Sequence, residues 1–324
     1  MLTVVIPTYN RKDSLYRVLR AFYRQTIPLE NYEIIVVDDG SADGTPETIN
    51  QANNLFNGNI RYFFQKNKGP AAARNLGIKE AKHPLVLFIN DDTIPAENLI
   101  EQHLFSHQKW PEEKVAVLGY ATWAKGISVP IYARHYLVGE YKKLEGLKEV
   151  RSLDFITCNV SVKKSFLLDN GLFDEDFPYA AHEDRELGYR LGKKGLRIMY
   201  NADATVYHYH VFQDPKPFMG HNKHLGAALA IWESKIGDEK SILFEFGLRD
   251  YSSLSKITRE LGRELFFNSK VLFLWLWIIS RLKDKEFLKL NLFSHLIAQA
   301  QKEGYRHQKR LISDKAKKVG KNVS

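Results

Sequence analysis

The chain has 324 residues, of which 44% are hydrophobic and 26% charged, and its formal net charge is +9. This composition is too apolar for a disordered chain and leaves enough length for one large domain and a smaller one. The single cysteine, Cys158, excludes an internal disulfide framework and a zinc cluster built on cysteines. No N-terminal segment has the pattern of a signal peptide, so we expect a reducing, cytoplasmic setting.

The positive charge indicates an anionic partner, which could be nucleic acid, an anionic membrane surface or a phosphate-bearing substrate. Basic residues crowd the C-terminal end, where they are Lys302, Arg306, Lys309, Arg310, Lys315, Lys317, Lys318 and Lys321. A solvated, frayed helix end is equally compatible with that run. Tyrosine and phenylalanine are spread through predicted core strands, which argues against a nucleic-acid surface.

Short apolar runs and amphipathic segments alternate through the N-terminal part, which is typical of strand–helix–strand units with a largely parallel sheet. The predicted strands are Leu2–Pro7, Glu33–Val37, Ile60–Phe64 and Leu85–Ile89. A helix is predicted from Asp13, because apolar residues then recur on one helical face. Those residues are Leu15, Val18, Leu19 and Phe22. Further helices are predicted to open at Thr45–Pro46, at Gly69–Pro70 and near Pro95.

The pattern becomes less regular after Val115, with further strands predicted at Val115–Thr122 and Phe155–Val162. From Asp214 onward the pattern is helical. We therefore predict an α/β domain over residues 1–213 and a helical, basic region over residues 214–324.

Polar clusters follow three of the predicted strands, at Pro7–Arg11, Asp38–Asp43 and Asn90–Thr93. Right-handed crossovers collect the loops at the carboxyl ends of parallel strands on one edge of the sheet, so we expect these clusters to lie together. Open parallel sheets bind their ligands at that edge. The sequence therefore predicts a binding crevice there.

The strongest candidate for chemistry is Asn90-Asp91-Asp92, which follows a wholly apolar strand. Two adjacent carboxylates at the end of a buried strand repel each other unless a cation neutralises them. Mg²⁺ or Mn²⁺ suits this position, since it takes oxygen ligands and bridges to substrate phosphates. The alternative is a capping role at the helix predicted near Pro95, for which Thr93 also competes.

Two further motifs suit a nucleotide. Asp39 can accept hydrogen bonds from a base or a ribose, although Asp, Gly and Ser in Asp38–Thr45 also form ordinary turns. Lys68–Asn75 combines small residues with Arg74 on the first turns of a helix, which suits phosphate or ribose oxygens. Close packing alone also explains small residues near a helix start.

Two motifs near the end of the domain carry titratable side chains. His182–Leu187 is acidic at the start of a helix, where carboxylates also stabilise the helix dipole. A positioned carboxylate there could instead accept a proton from an attacking hydroxyl group. The alternation over Tyr207–His210 predicts a strand with one buried face, on which a histidine is either hydrogen-bonded scaffolding or a ligand. We expect His210 to point to the face opposite His208.

These motifs and Val5–Arg11 occur in the order and spacing of glycosyltransferase family 2, which the sequence resembles over roughly residues 1–210. The resemblance implies an inverting enzyme with a GT-A fold, a Rossmann-like, mostly parallel sheet flanked by helices. It also implies the site residues. They are the catalytic base Asp184 with Glu183 in reserve, the nucleotide-binding residues Pro7, Thr8, Tyr9, Arg11, Asp39, Arg74 and Asp91, and the metal ligands Asp92 and His208. The family's DXD-type motif often begins with an acid, so Asn90 is a departure.

The resemblance further implies one in-line displacement that moves a sugar from a nucleotide diphosphate sugar to a hydroxyl acceptor, assisted by Mn²⁺ or Mg²⁺. The acceptor would be a carbohydrate or a lipid-linked saccharide, as in cell-surface polysaccharide or glycolipid assembly. A sugar nucleotidyltransferase, or a non-catalytic nucleotide- or anion-binding module, is the alternative. The family's processive polymerases carry a Gln-x-x-Arg-Trp element and several spanning helices; neither is found, so we expect one sugar per encounter.

The apolar segment Val271–Ile279 is far shorter than the roughly 20 residues that span a bilayer. It forms either a buried helix or an interfacial one, for which Trp275 and Trp277 suit the headgroup region. In the second case the basic C-terminal end would help hold the protein to anionic lipid on the inner face of the cell membrane.

Overall fold

The computed structural model describes residues 1–57, 59–210, 212–246, 265–282 and 285–321. The chain divides into two compact units. The first comprises Met1–Ser128 and His135–His210, and the second comprises Val129–Arg134 and Val211–Ser324. The inclusion of residues 129–134 in the second unit is not anticipated by the sequence analysis.

Strands and helices alternate in the first part of the first unit. They are β1 (Leu2–Thr8), α1 (Lys12–Phe22), β2 (Tyr32–Asp38), α2 (Thr45–Leu55), β3 (Ile60–Phe64), α3 (Pro70–Glu80) and β4 (Leu85–Ile89). The chain continues through β5 (Thr93–Pro95), α4 (Leu99–Lys109), β6 (Val115–Trp123), α5 (Arg134–Lys142), β7 (Glu149–Val150), β8 (Asn159–Lys163), α6 (Lys164–Asn170), α7 (Glu183–Lys193) and β9 (Arg197–His208). Short 3-10 helices lie at Leu29–Asn31 and Ser152–Asp154.

Within the described residues, nine strands form one sheet in the order β3-β2-β1-β4-β8-β6-β9-β5, and β7 pairs with β9. β1 is parallel to β2 and β4, and β2 is parallel to β3. β8 is antiparallel to β4 and β6, β5 is antiparallel to β9, and β6 and β9 are parallel. The predicted α/β fold class is confirmed. The antiparallel strands of the second half are an addition that the sequence analysis does not predict.

The centre of the sheet is apolar on both faces. Every residue of β2 and β4 is buried, as expected of strands covered on both sides by helices. The predicted apolar face of α1 is confirmed, because its four residues are fully buried against this core. Full burial of such a side chain contributes about 1.5–3 kcal/mol. The core thus holds the carboxyl ends of β1, β2 and β4 at fixed positions.

Two predicted elements differ in the structure. No helix begins near Pro95: the β-branched residues Thr93 and Ile94 pair with β9 instead, and Pro95 is tolerated because β5 lies at the sheet edge. The helix starts later, at Leu99. The strand predicted over Phe155–Val162 is shorter, because a 3-10 helix and a turn occupy the chain before β8.

A buried polar network fixes β8 against α4 and β9. His103 Nδ1 lies 2.8 Å from Ser161 Oγ, and His103 Nε2 lies 2.9 Å from Asn159 Oδ1. Asn159 Nδ2 donates to the Ala204 carbonyl oxygen at 2.7 Å, close to the register shift between β6 and β9. Burial lowers the pKa of His103 to about 4, so the ring is neutral at neutral pH. The network therefore holds the last part of β9, which ends at His208.

The second unit is helical in its described residues, with α8 (Pro215–Ile236), a 3-10 segment (Gly237–Phe246), α9 (Leu272–Arg281) and α10 (Glu286–Lys321). The predicted helical stretch includes residues 247–264, which lie outside the described residues, as do the side chains of Lys318 and Lys321. The helices α8 and α10 approach through glycines. A Cβ on Gly226 would lie 1.8 Å from the Gln301 carbonyl oxygen, and one on Gly304 would lie 1.9 Å from that of Lys223.

An apolar core holds these helices together; its buried members are Phe218, Met219, Ile279, Phe293, Leu296 and Ala300. Across the described part of the chain, every helix is too short or too polar to cross a lipid bilayer.

Candidate functional site

The polar loops predicted at the carboxyl ends of the parallel strands lie together at one edge of the sheet. The end of β1 meets the loop after β4, because Thr8 Oγ1 donates to Asp91 Oδ2 at 2.8 Å. It also meets the loop after β2, because the Asn10 N–H donates to Ser41 Oγ at 2.8 Å. The end of β9 lies beside these loops, since the Tyr209 N–H, just beyond β9, donates to the Asp92 carbonyl oxygen at 2.9 Å. These loops form the candidate site.

The carboxylates of Asp91 and Asp92 lie directly beyond β4 and are 7% and 6% exposed. Arg11 Nη1 lies between them, 3.3 Å from Asp91 Oδ1 and 2.7 Å from Asp92 Oδ2. The Arg11 side chain is itself 38% exposed. The two buried carboxylates therefore share one cation from the protein, which reaches them from the solvent side.

The two carboxyl groups differ in pKa. Burial raises the pKa of Asp91 to about 7, and the charge of Asp92 adds to this effect against the attraction of Arg11. Burial acts on Asp92 in the same direction, but His208 and Arg11 outweigh it and hold the pKa of Asp92 below its usual range. Asp92 is therefore the fully ionised member of the pair at neutral pH.

His208 ends β9 beside the carboxylate pair, with Nε2 at 3.5 Å from Asp92 Oδ1. Its ring contacts that of Trp123 edge-on, and its Nδ1 lies 3.2 Å from the His210 carbonyl oxygen. The expectation that His210 points away is wrong, because residues two apart in a strand share a face and β9 already ends at His208. Burial lowers the pKa of His210, as does Arg11, whereas Asp92 raises it. His210 thus belongs to the same charged environment.

The chemistry of these residues suits a divalent cation. Asp92 Oδ1 is buried and has no hydrogen-bond partner among the described residues, and it faces His208 Nε2 at 3.5 Å. Asp92 Oδ1 would supply an oxygen ligand of the kind that Mg²⁺ and Mn²⁺ take, and His208 Nε2 lies beside it. No group of three or more His, Cys, Asp or Glu side chains is placed to hold a metal ion in the part of the chain that the structure describes. Water and substrate phosphates would have to complete the coordination, as Mg²⁺ commonly requires.

Asp39 is buried at the end of β2, and its carboxylate orders the loop that leads into α3. Oδ1 accepts from the Lys68 N–H at 2.8 Å and from Gln65 Nε2 at 2.7 Å, and Oδ2 accepts from the Gly69 N–H at 2.8 Å. Gly69 has a φ of +92°, and a Cβ there would lie 2.9 Å from the Pro178 carbonyl oxygen, so no other residue fits. A carboxylate has about four lone-pair sites, which leaves Asp39 one for a ligand.

Arg74 on α3 is buried and connects the loop after β4 with the start of α7. Its Nη1 lies 2.7 Å from Glu183 Oε1, and its Nη2 donates to Asn90 Oδ1 at 3.2 Å. The guanidinium also lies 5.5 Å from the centroid of the Phe173 ring. Its Nε is buried and lacks a hydrogen-bond partner within the described residues. Two of the five N–H groups of the guanidinium therefore bind protein side chains, and the side chain keeps further donors for a ligand.

Glu183 and Asp184 open α7 in different surroundings. Burial raises the pKa of the Glu183 carboxyl, against the attraction of Arg74. Asp184 is half-buried; its Oδ2 accepts from the Thr157 N–H at 3.2 Å and its Oδ1 from the Arg185 N–H at 2.8 Å. The carboxylate of Asp184 is the more accessible of the two, and two backbone amides fix its orientation.

The buried Cys158 thiol lies within electrostatic range of three predicted site residues, Asp92, Asp184 and Arg74. Burial raises the pKa of its thiol to about 12; the charges of Asp184 and Asp92 act in the same direction, and that of Arg74 opposes them. Both carboxylates and the guanidinium thus lie within electrostatic range of one buried atom. The thiol itself stays protonated and is not a nucleophile.

The remaining predicted residues lie at the same edge. Pro7 is half-buried at the end of β1, and Thr8 is buried beside it. Tyr9 is exposed and is therefore accessible to a ligand. The structure brings the predicted site residues to this sheet edge and to the helices α3 and α7 that border it.

The site contains residues to which the sequence analysis assigns no role: Asn90, which it names only as part of a motif, Thr157 and His210. Asn90 and His210 are neighbours of selected residues, so the rule that ligands bind at strand ends could have found them. Thr157 lies far from Asp184 along the chain, and no sequence pattern connects the two.

Comparison with known proteins places this geometry in context. A family model described as Glycosyl transferase family 2 matches residues 3–167, just over half of the chain. Validoxylamine A glucosyltransferase of Streptomyces hygroscopicus subsp. jinggangensis is 33% identical over 232 residues, which cover 63% of this chain and 54% of that protein. Chondroitin synthase of Escherichia coli is 28% identical over 240 residues, which cover 64% and 34%. The chain thus spans about half the length, or less, of these relatives.

Two solved structures share the fold. The mannosyltransferase PcManGT from Pyrobaculum calidifontis, in complex with GDP-Man and Mn²⁺, matches with a TM-score of 0.61 and 20% identity, over 92% of this chain and 85% of that one. Residues 1–349 of S. aureus TarS in complex with UDP match with a TM-score of 0.54 and 20% identity, over 97% and 91%.

Arg74→Ala is expected to lower the free energy of unfolding by about 3–5 kcal/mol, because it leaves the buried Glu183 carboxylate unpaired. Chemical denaturation measures this loss. Arg197→Ala is the matched control: its pair with Glu149 has the same 2.7 Å separation, but both side chains are about half exposed. The control should therefore lose much less. Equal losses for the two variants would contradict the structural role assigned to Arg74.

Proposed function

The chain belongs to glycosyl transferase family 2, and on this premise we propose that it moves a single sugar from a nucleotide diphosphate sugar to a hydroxyl group of an acceptor, with inversion at the anomeric carbon. The observation that carries the proposal is that two carboxylates meet at one site. Arg74 binds both Asn90, in the loop that carries Asp92, and Glu183, the neighbour of Asp184. Asp92 has an oxygen without a hydrogen-bond partner among the described residues, and Asp184 is accessible. The first can hold a cation for the leaving group, and the second can accept a proton.

The donor class rests on the loops at the strand ends. Thr8 ends β1 and Tyr9 follows it, Asp39 keeps one acceptor site, and Arg74 keeps N–H donors such as its Nε–H. Together these groups suit a base, a ribose and phosphate oxygens. The two structural neighbours support a nucleotide diphosphate, since one is in complex with UDP and the other with GDP-Man.

Asp92 and His208 would hold a divalent cation, with Asp91 beside them. The cation would be Mn²⁺ or Mg²⁺, and the mannosyltransferase neighbour is in complex with Mn²⁺. When bound, such a cation stabilises the negative charge that develops on the departing diphosphate. The protein contributes a buried, oriented carboxylate oxygen that has no other partner among the described residues.

Asp184 is the proposed base. Its half-buried carboxylate accepts the proton of the acceptor hydroxyl, whose oxygen then forms the bond to the anomeric carbon. The bond from that carbon to the phosphate oxygen breaks on the opposite side, and the nucleotide diphosphate leaves with its electron pair. Thr157 and Arg185 orient the carboxylate through backbone amides, and Glu183 takes part indirectly, by anchoring α7 to Arg74.

The acceptor is proposed to be a carbohydrate or a lipid-linked saccharide, reached by peripheral contact with an anionic membrane surface. The second unit exposes large apolar side chains on and beside α9, namely Leu265, Phe266, Phe273, Leu274, Trp277 and Phe287. The Arg281 guanidinium lies 5.3 Å from the Trp277 ring centroid. Aromatic rings beside cations suit the boundary of an anionic bilayer, and α10 adds further basic residues.

Calorimetric titration with UDP, GDP and dTDP, each with and without Mn²⁺, tests the donor site. One nucleotide is expected to bind, and to need Mn²⁺ for full affinity. Asp92→Asn should weaken that binding by at least about tenfold, because it removes the charge of the proposed ligand. Asp169→Asn, at an exposed position on α6, is the control and should bind as the wild type does. If no nucleotide binds under any condition, the chain is a binding module of another kind and the transferase proposal fails.

Asp184→Asn is expected to lower the rate of sugar transfer by about 10²–10⁴-fold, because the amide cannot accept the proton of the acceptor hydroxyl. Release of the nucleotide diphosphate, with an acceptor that supports turnover by the wild type, measures the rate. Donor affinity should stay unchanged, which separates a lost base from a misfolded site. A variant that keeps the wild-type rate would show that another group is the base.

Sedimentation with lipid vesicles tests the membrane contact. The protein is expected to bind vesicles rich in phosphatidylglycerol and not those of phosphatidylcholine alone, and added salt should weaken the binding. The double variant Phe273→Ser and Trp277→Ser, at side chains 74% and 51% exposed, should bind about tenfold or more weakly. Leu147→Ser, at a residue 48% exposed in the first unit, is the matched control. Absence of binding to both vesicles would remove the membrane from the proposal.

A further inference from the structure

Arg11 occupies carboxylate oxygens of Asp91 and Asp92 that could otherwise bind a metal ion. Its Nη1 contacts Asp91 Oδ1 at 3.3 Å and Asp92 Oδ2 at 2.7 Å, while Thr8 Oγ1 donates to Asp91 Oδ2 at 2.8 Å. Three of the four carboxylate oxygens therefore have partners. The fourth, Asp92 Oδ1, has no hydrogen-bond partner among the described residues. Arg11 thus compensates part of the charge of the pair, while one oxygen stays available.

The Arg11 guanidinium can leave this position without a change in the backbone. The turn that carries it is anchored on both sides to the loop after β2. The Asn10 side chain accepts from the Ala42 N–H at 2.8 Å, and the Lys12 N–H donates to Asp43 Oδ2 at 2.9 Å. The Arg11 side chain is 38% exposed, so rotation about its own bonds leads to solvent. Movement is therefore confined to the side chain.

A divalent cation that enters alone meets a pair of carboxylates whose charge is already partly compensated by Arg11. It must either displace Arg11 into water or lie close to a guanidinium of like charge. A nucleotide diphosphate changes this balance, because its phosphate oxygens can receive the guanidinium through paired hydrogen bonds as it leaves the carboxylates. The cation can then take the carboxylates that Arg11 has released.

We propose that Arg11 is a built-in counter-ion that keeps Asp91 and Asp92 closed to free divalent cations, so that the site takes the metal chelate of a nucleotide diphosphate. This inference rests on the proposed function, which identifies the ligand as a nucleotide diphosphate. It adds that metal and nucleotide bind together and that Arg11 exchanges one anionic partner for another. Arg11 is a specificity-determining residue in this account, in addition to a contact for the donor.

Binding of Mn²⁺ alone, followed by loss of the free-ion signal in electron paramagnetic resonance, tests the inference on the full chain. Arg11→Leu is expected to bind Mn²⁺ at least tenfold more tightly than the wild type in the absence of nucleotide. Arg24→Leu, which removes the same charge from an exposed position, is the matched control and should leave the affinity unchanged. With saturating UDP or GDP, the advantage of Arg11→Leu should disappear, because the wild-type guanidinium has then moved to the diphosphate.

Two further variants keep the test decisive. Arg11→Gln removes the charge but keeps a polar side chain, and it should repeat the tighter binding if Arg11→Leu does not fold. Arg11→Lys keeps the charge and should bind Mn²⁺ alone as weakly as the wild type. If the variants that lack the charge bind Mn²⁺ no more tightly than the wild type, the inference is overturned.

The same titrations separate this inference from the proposed function. A wild-type protein that binds Mn²⁺ with a nucleotide, but whose charge-removing variants gain nothing for Mn²⁺ alone, retains the function and loses the inference. A wild-type protein that binds no nucleotide, but whose charge-removing variants gain affinity for Mn²⁺ alone, loses the proposed function and retains the counter-ion role of Arg11.

Discussion

Two adjacent carboxyl groups at the end of a fully buried strand carry more negative charge than their surroundings can solvate, and the rest of the site is arranged around that charge. Asp91 and Asp92 follow β4, and both residues are buried, so water has little access to them. Arg11 in the loop after β1, Thr8 at the end of β1 and His208 at the end of β9 surround this pair, and Thr8 donates a hydrogen bond to it. The ends of β1, β4 and β9, which are distant in sequence, therefore meet at this carboxylate pair.

The order of strands in the sheet makes this convergence possible. β1 pairs with both β2 and β4, so the loops after all three strands are neighbours. β9 runs parallel to β6, and its carboxyl end reaches the same edge with His208. A second ion pair, Arg74 with Glu183, then fixes α7 relative to the loop after β4 and so presents Asp184 to the edge. The two charge clusters therefore connect the loop after β4 to the loop after β1 and to the start of α7.

The sequence predicts those features that depend on local patterns. The buried face of α1 and the strands through β4 follow from apolar spacing, and the grouping of Arg11, Asp39 and Asp92 follows from the rule for parallel strand ends. What the sequence does not predict depends on contacts between distant residues. Pro95 enters an edge strand because β9 is there to pair with, and the partner of Arg74 is decided by where α7 begins.

The single cysteine offers a practical advantage for biophysical work. Cys158 is buried and its thiol is held protonated by its surroundings, so maleimides and spin-label reagents that need a thiolate will react with it slowly. A cysteine introduced at an exposed position can therefore be labelled selectively in the otherwise natural sequence. Fluorophores or spin labels on the loops at the sheet edge could then report distances during ligand binding without prior removal of the native thiol.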